Sequence, residues 1–165
     1  PMFLTVMAGE DMSSFGQAGG DMVSYEMEIM TLAKEKDLSI GGLETAAYQM
    51  SMFDSIPYDV QAKMLVDAID GKGESGAGEF DELVKLYKTQ NIRAMVNLMG
   101  EDPEGLGKYE NLLLANRNKN WIPVMAEMML KQPTFFAVGA GHLAGKEGVV
   151  TLLREEGYEV KPLYQ

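Results

Sequence analysis

Most of the chain has apolar residues three and four positions apart, as expected of helices with one buried face. Asp21 is placed to cap a first helix that ends near Lys36, Thr45 to cap a helix to about residue 54, and Pro57 suits the first turn of the next. The following apolar stripes carry the pattern: Val23, Met27 and Met30; Val60, Met64, Leu65, Ala68 and Ile69; Phe80, Leu83, Val84 and Tyr87; Ile92, Met95, Val96 and Met99. Residues 21–133 are therefore predicted to be mainly helical.

A long helical pattern runs from about Glu104 to Lys131 and contains Pro123, which must kink the helix or begin a new one. In an uninterrupted helix, Arg117 lies on the same face as Leu113 and Trp121, four residues before and after it. A guanidinium on that apolar face needs a partner. The alternative is an arginine that extends to solvent from the edge of the core.

The end of the chain has a different pattern. Residues 134–138 form an unbroken apolar run, as in a strand buried on both faces of a parallel sheet. A glycine-rich loop, a helix beginning near Val149, Gly157 at the C′ position and a closing strand over 158–163 complete a strand–loop–helix–strand unit within residues 134–165. The predicted fold class is accordingly α/β, a mixed sheet with this C-terminal unit and a large helical lobe.

A second, short strand is predicted near residues 39–44, and the whole chain, 1–165, is predicted to be one domain. Residues 1–20 are poorly defined by the pattern. Gly- and Ser-rich stretches at 13–20 and 71–78 have the composition of loops, and we expect them to be the least ordered internal segments.

Composition narrows the possible partners. The chain has 14 Lys and Arg against 25 Asp and Glu, a formal charge of -11, which disfavours nucleic acid and anionic lipid surfaces. No apolar run is long enough for a membrane helix, so no membrane insertion is expected. Cysteine is absent, which excludes disulfides and thiolate ligands. The 14 methionines favour core filling over soft-metal binding because they fall on helix stripes.

His142 is the single histidine of the chain and lies in a glycine-rich stretch after the predicted strand. Ligands collect at such strand ends in open α/β sheets, so His142 is a candidate metal ligand or general base. The alternative is a histidine that only bonds a neighbouring loop. Gly139 and Gly141, followed by Ala144, also match a dinucleotide-binding fingerprint, although the acid expected at the end of the next strand is not found there.

Glu44 ends the other predicted strand, so we expect its carboxylate to lie near His142 at one edge of the sheet. A carboxylate and an imidazole together could hold a divalent ion or act as an acid–base pair, and Glu44 could also pair with Arg117. A complete metal site needs about three protein ligands. Alternatively, Glu44 lies at the start of the Thr45 helix, where the helix dipole favours an acid.

Several motifs in this order resemble the TraB/GumN family over about residues 22–163. The matching residues are Gly42, Leu43, Glu44, Thr45, Gln49, Phe53, Asp54 and Pro57; Arg117, Asn118 and Trp121; the stretch from Phe136 to Gly145; Leu152, Leu153 and Arg154; and the stretch from Gly157 to Val160.

The resemblance implies a fold akin to the TIKI peptidases and to the heme-binding ChaN and erythromycin-esterase proteins, in which two Gly-x-x-His motifs face one cleft. Residues 139–142 match the second motif, and the first has no equivalent here. The chain, which begins at Pro1, is therefore expected to be the C-terminal part of a truncated domain and inactive by itself.

In function, the resemblance implies a metal-dependent hydrolase, a peptidase acting on a peptide or small-molecule substrate with Mn, Co or Zn. His142 would be a metal ligand or base, Glu44 an acidic partner and metal ligand, and Arg117 an orienting or oxyanion-stabilising group. We expect this chain alone to bind no divalent metal tightly. The alternative is a heme- or small-ligand-binding protein that uses the cleft with Met and Tyr side chains. Export to the periplasm or a lipoprotein anchor is implied, and the oligomeric state is left open.

Overall fold

The computed structural model describes residues 24–69, 77–100, 109 and 111–163. The chain divides into two compact units, residues 1–74 and residues 75–165. The described α-helices are α1 (Tyr25–Glu35), α2 (Ala46–Ser51) and α3 (Tyr58–Ile69) in the first unit and α4 (Ala77–Lys88), α5 (Ile92–Gly100), α6 (Asn116–Lys131) and α7 (Val149–Glu155) in the second. Short 3₁₀ turns occur at Phe53–Ser55 and Ala140–His142, and a π-helical segment at Asn111–Ala115 precedes α6.

The predicted α/β fold with a mixed sheet is wrong, because the described part of the chain is helical and contains no strand. Residues 134–138 are not buried on both faces: their exposure alternates along the run, and Phe135 is 78% exposed. Near 39–44, Ile40 is 63% exposed and Leu43 is half-buried. A short apolar run is compatible with a strand, but without ladder partners on either side it does not become one.

The first unit follows the predicted helix starts closely. Thr45 caps α2, since its Oγ1 accepts a hydrogen bond from the backbone N–H of Tyr48 at 3.1 Å. Pro57 immediately precedes α3, and its carbonyl accepts the N–H of Gln61 at 3.0 Å. At α1 the cap is Ser24, whose hydroxyl accepts from the N–H of Met27. The predicted cap, Asp21, lies outside the described residues.

Three helices end in the same hydrogen-bond pattern, in which the residue after the C-cap has a positive φ. Gly157 occupies this position after α7 with φ 90°, and the N–H of Tyr158 reaches back to the carbonyl of Leu153 at 3.0 Å. This is the Schellman motif, and it confirms the predicted C′ glycine. Asp37 after α1 and Gln90 after α4 have the same backbone conformation, with φ 54° and 57°.

The second unit is built around α6. This helix runs through Pro123 without ending, so Arg117 and Trp121, four residues apart, lie on the same face, whereas Leu113 belongs to the preceding π-helical segment. Helix α6 packs against α7 and the π-helical segment, and α5 packs against the 3₁₀ turn at Ala140–His142. The buried side chains of this unit are Met95, Ala115, Asn118, Trp121, Ile122, Met125, His142 and Val149. Met125 is 1% exposed, as expected of a methionine that fills the core.

The two glycine-rich stretches, 13–20 and 71–76, lie outside the described residues, while residues 77 and 78 belong to α4. The boundary between the two compact units falls within the second stretch. That the chain is a single domain stays a prediction. Among the described residues there is no helix both long enough and apolar enough to cross a membrane.

Candidate functional site

His142 ends the 3₁₀ turn at the beginning of the glycine-rich loop, in the second unit. Its backbone N–H donates to the carbonyl of Gly139 at 2.9 Å, which closes the turn. The side chain is only 8% exposed. A buried imidazole needs hydrogen-bond partners for both ring nitrogens, and those partners decide its chemistry.

The two neighbours of His142 define its tautomer. Nε2 lies 3.3 Å from Nη1 of Arg117, and Nδ1 lies 2.7 Å from Oδ1 of Asn118. A guanidinium is only a donor, so Nε2 must be the acceptor in this pair. Nδ1 therefore carries the proton and donates it to the Asn118 oxygen. The lone pair of the ring is on Nε2, the nitrogen that faces Arg117.

Asn118 is oriented for this role by a second set of bonds. Its Nδ2 donates to the carbonyl of Glu147 at 2.8 Å and lies 3.4 Å from the carbonyl of His142. Because those acceptors require the nitrogen, the oxygen of the amide must face the imidazole. The next residue, Lys119, adds an ion pair of 2.5 Å to the carboxylate of Glu147. Helix α6 thus holds the loop at both ends of the His142–Glu147 segment.

Arg117 and Trp121 complete the surroundings of the imidazole. Nη1 of Arg117 also donates to the carbonyl of Leu113 at 3.0 Å, and its guanidinium carbon lies 5.0 Å from the centre of the Trp121 ring. The Trp121 and His142 rings are 4.5 Å apart at an interplanar angle of 42°. The predicted proximity of Arg117 and Trp121 on one helix face is confirmed, while Leu113 lies in the π-helical segment and not in the same α-helix. The guanidinium contacts the imidazole of His142.

The other predicted site residues are Glu44 and the two glycines before His142. Glu44 lies in the first unit, just before α2, and its pairing with His142 or Arg117 stays a prediction. Gly139 and Gly141 precede His142 at its 3₁₀ turn, but the strand of a dinucleotide-binding fingerprint is missing from the described residues. A Cβ on Gly139 would lie 3.8 Å from the imidazole, an ordinary contact, so the site does not need a glycine there.

The described residues do not fit a divalent metal by themselves. Within the described ranges no group of three His, Cys, Asp or Glu side chains could hold an ion. The donor set at the site is the single nitrogen Nε2, which already faces a cation. Nδ1–H bonded to an amide oxygen is the usual orientation of a metal-binding histidine, yet one ligand does not make a site.

Asn118 is the site residue that sequence reasoning missed as a functional group. The Arg117–Asn118 pair belongs to the family resemblance, but no role followed from its position. On α6, Asn118 and Trp121 are three residues apart and share a face, and both are buried. The sequence signal that could have identified Asn118 is a polar residue on the apolar face of a helix.

The chain belongs to the TraB/PrgY/gumN family, whose model matches residues 1–162. A curated relative, metalloprotease TIKI2 of Danio rerio, is 28% identical over 93 residues, which cover 51% of this chain. The match covers 18% of the length of that relative. No solved structure matches the chain.

Proposed function

We propose that this chain contributes the histidine part of a hydrolytic site that cleaves peptide bonds, with Nε2 of His142 as the reactive atom. The observation that carries the proposal is the 2.7 Å contact between Nδ1 of His142 and Oδ1 of Asn118. It leaves the proton on Nδ1 and a lone pair on Nε2, the state that a general base requires. Family membership and the similarity to a protein named a metalloprotease support the choice of hydrolysis.

In the proposed reaction, Nε2 takes a proton from water while the water oxygen forms a bond to the carbonyl carbon. The carbonyl π electrons move to its oxygen, and the resulting negative charge is stabilised by the guanidinium of Arg117. Fixed positive donors beside a developing oxyanion are a large source of catalysis. The proton on Nε2 then passes to the leaving amine as the carbon–nitrogen bond breaks.

Two neighbours, Asn118 and Trp121, support the imidazole in this role. Asn118 is a positioning residue, because it fixes the tautomer without reaching the reacting atoms. Trp121 packs on one side of the ring and limits its rotation. The contact of 3.3 Å between Arg117 and Nε2 must open for a water to reach the lone pair, a rearrangement that substrate binding commonly produces.

No step is assigned to a metal ion, since the described residues alone do not hold one. Hydrolysis that depends on Mn, Co or Zn is proposed only if further side chains join Nε2 of His142 as ligands. Glu44 is the candidate carboxylate ligand. Such an ion would supply Lewis-acid activation of water or of the carbonyl.

The test is peptide cleavage followed by mass spectrometry, run on the 165-residue chain and on the protein as its gene encodes it. His142→Asn keeps an amide donor near the Nδ1 position but removes Nε2, and it should lower the cleavage rate by roughly 10²-fold or more. Lys131→Gln is the control, because Lys131 is exposed and pairs with Glu127 elsewhere on α6. Parallel assays with a chelator and with each of the three ions test metal dependence.

Full activity of the His142→Asn variant would show that Nε2 takes no part in the reaction. A protein that cleaves nothing under any of these conditions but acquires a heme absorbance band on titration would contradict hydrolysis. That result would favour the binding function that was the alternative from the sequence.

A further inference from the structure

A cavity of about 350 Å³ lies in the second unit, next to the His142 cluster. One wall is apolar and consists of Val96 on α5 with Leu114 and Ala115 of the π-helical segment. The glycine-rich loop from Ala144 to Gly148 and Gly141 also line the cavity. Asn118 contributes to the lining, whereas His142 does not. The volume falls in the range of small-molecule sites.

The cavity wall formed by the loop is held in place by several independent bonds. Thr151 donates its hydroxyl hydrogen to the carbonyl of Gly145 at 2.8 Å, and the N–H of Val150 donates to the carbonyl of Leu143 at 3.2 Å. Gly145 has φ 92°, and a Cβ there would approach the side chain of Val96 to 3.5 Å. A loop fixed at this many points keeps the space open, so a ligand would meet a preformed site.

The charge at the cavity is opposite in sign to that of the whole chain. Lys146 lines it and is exposed, and among the described residues no carboxylate pairs with this ammonium group. The one acid in the lining, Glu147, is neutralised by its 2.5 Å ion pair with Lys119. The cavity therefore has a local excess of one positive charge in a chain of formal charge -11.

We propose that this cavity binds a small carboxylate with a short apolar body. The carboxylate pairs with the Lys146 ammonium, and the apolar body lies against Val96, Leu114 and Ala115. A cationic ligand would face an ammonium, and a neutral one would leave it unused. The proposal does not depend on the proposed hydrolysis, since none of these groups takes part in that reaction.

Asn118 connects the ligand to a measurable signal. Its amide lines the cavity and also bonds His142, and the His142 ring packs on Trp121, the single tryptophan of the chain. Occupation of the cavity should thus change the fluorescence of Trp121 together with the amide signals of the loop.

The probe is hexanoate, titrated into the 165-residue chain and followed by NMR of the loop amides and by tryptophan fluorescence. One exposed charge and a small apolar area predict saturable binding with a Kd on the order of 1 mM. Lys146→Gln should weaken binding roughly three- to fivefold, the range of a solvent-exposed ion pair. Lys131→Gln, the matched control, should leave the Kd unchanged. Val96→Phe, which fills the apolar side, should abolish binding while the circular dichroism of the chain stays the same.

Hexanol and hexylammonium, with the same body and a different head group, complete the test. Both should bind more weakly than hexanoate, and added salt should weaken hexanoate alone. Equal Kd values for hexanoate and hexanol, an unchanged Kd in Lys146→Gln, or no saturation by any probe would each overturn the proposal.

Discussion

In the described part of each unit one carboxamide is buried to the same extent, yet the two amides have different partners. Gln61 in the first unit and Asn118 in the second are both 2% exposed. Nε2 of Gln61 donates to the carbonyls of Phe53 and Ile56 at 2.8 and 2.6 Å, eight and five residues away. Asn118 bonds groups 24 and 29 residues away, and one of them is an imidazole.

The difference lies in the partner groups, since burial alone does not distinguish the two sites. Backbone carbonyls do not titrate, so the Gln61 bonds stabilise the turn before α3 and do no further chemistry. An imidazole can carry its proton on either ring nitrogen, so the bond from Nδ1 of His142 to Asn118 decides which of the two carries it. A buried amide points to function when it orients a group that can accept or donate protons.

The largest expected effect comes from truncating each amide. Asn118→Ala leaves the carbonyls of Glu147 and His142 and the Nδ1–H of the imidazole without their partner, and it should cost about 3 kcal/mol or more of unfolding free energy. Gln61→Ala takes its donor away from the carbonyl of Ile56, while the carbonyl of Phe53 still accepts the N–H of Ile56, and it should cost about 2 kcal/mol. Urea denaturation of the full chain measures both. A smaller loss for Asn118→Ala than for Gln61→Ala would reverse the proposed ranking.

Replacing each amide by the corresponding acid should change the protonation of His142 at one site and leave it unchanged at the other. Asn118→Asp places a carboxylate beside Nδ1 and favours the doubly protonated imidazolium, which removes the lone pair from Nε2. Gln61→Glu should leave the imidazole signals unchanged because its neighbours are backbone carbonyls. The ¹⁵N spectra of histidine-labelled variants report the result. An Nε2 that stays unprotonated at neutral pH in Asn118→Asp would show that this contact does not control the ring.

A smaller effect is expected from Arg117. Arg117→Gln removes the guanidinium from above Trp121 and should cost about 1 kcal/mol, with a change in tryptophan fluorescence. Arg154→Gln is the control, since Arg154 also donates to a backbone carbonyl, that of Val160 at 2.7 Å, and its guanidinium makes no cation–π contact with Trp121. Equal fluorescence changes in the two variants would argue against the Arg117–Trp121 contact.

The smallest effects concern helix ends that are alike in the two units. Gly157→Ala forces a side chain into φ 90° and should destabilise the chain by about 1 kcal/mol. Asp37→Gly relieves the same strain after α1 and should stabilise it by about 0.5 kcal/mol. Thermal unfolding of both variants measures the signs, and a stabilising Gly157→Ala would contradict the assigned motif.

Local signals in the sequence predicted the helix ends well. Thr45 and Gly157 act at short range through their own hydrogen bonds, so their positions could be read directly. The sheet was predicted wrongly because a strand needs partners from elsewhere in the chain, and the apolar run at 134–138 contains no information about them.

The site was predictable in part. His142 stood out as the single histidine among glycines, and Arg117 followed from helical spacing. The role of Asn118 could not be predicted, because it depends on Glu147 and His142, which the fold brings to α6 from 29 and 24 residues away. Glu44, placed in the site by a predicted strand end, remains a prediction.

The most direct test of the site is the protonation of the two ring nitrogens of His142. With one histidine in the chain, a ¹⁵N-histidine sample gives a single pair of ring signals that needs no further assignment. At neutral pH we expect a protonated Nδ1 and an unprotonated Nε2, a pattern that Asn118→Ala should abolish. A proton on Nε2 with a bare Nδ1 would contradict the arrangement, because neither Asn118 nor Arg117 could then bond the ring as described.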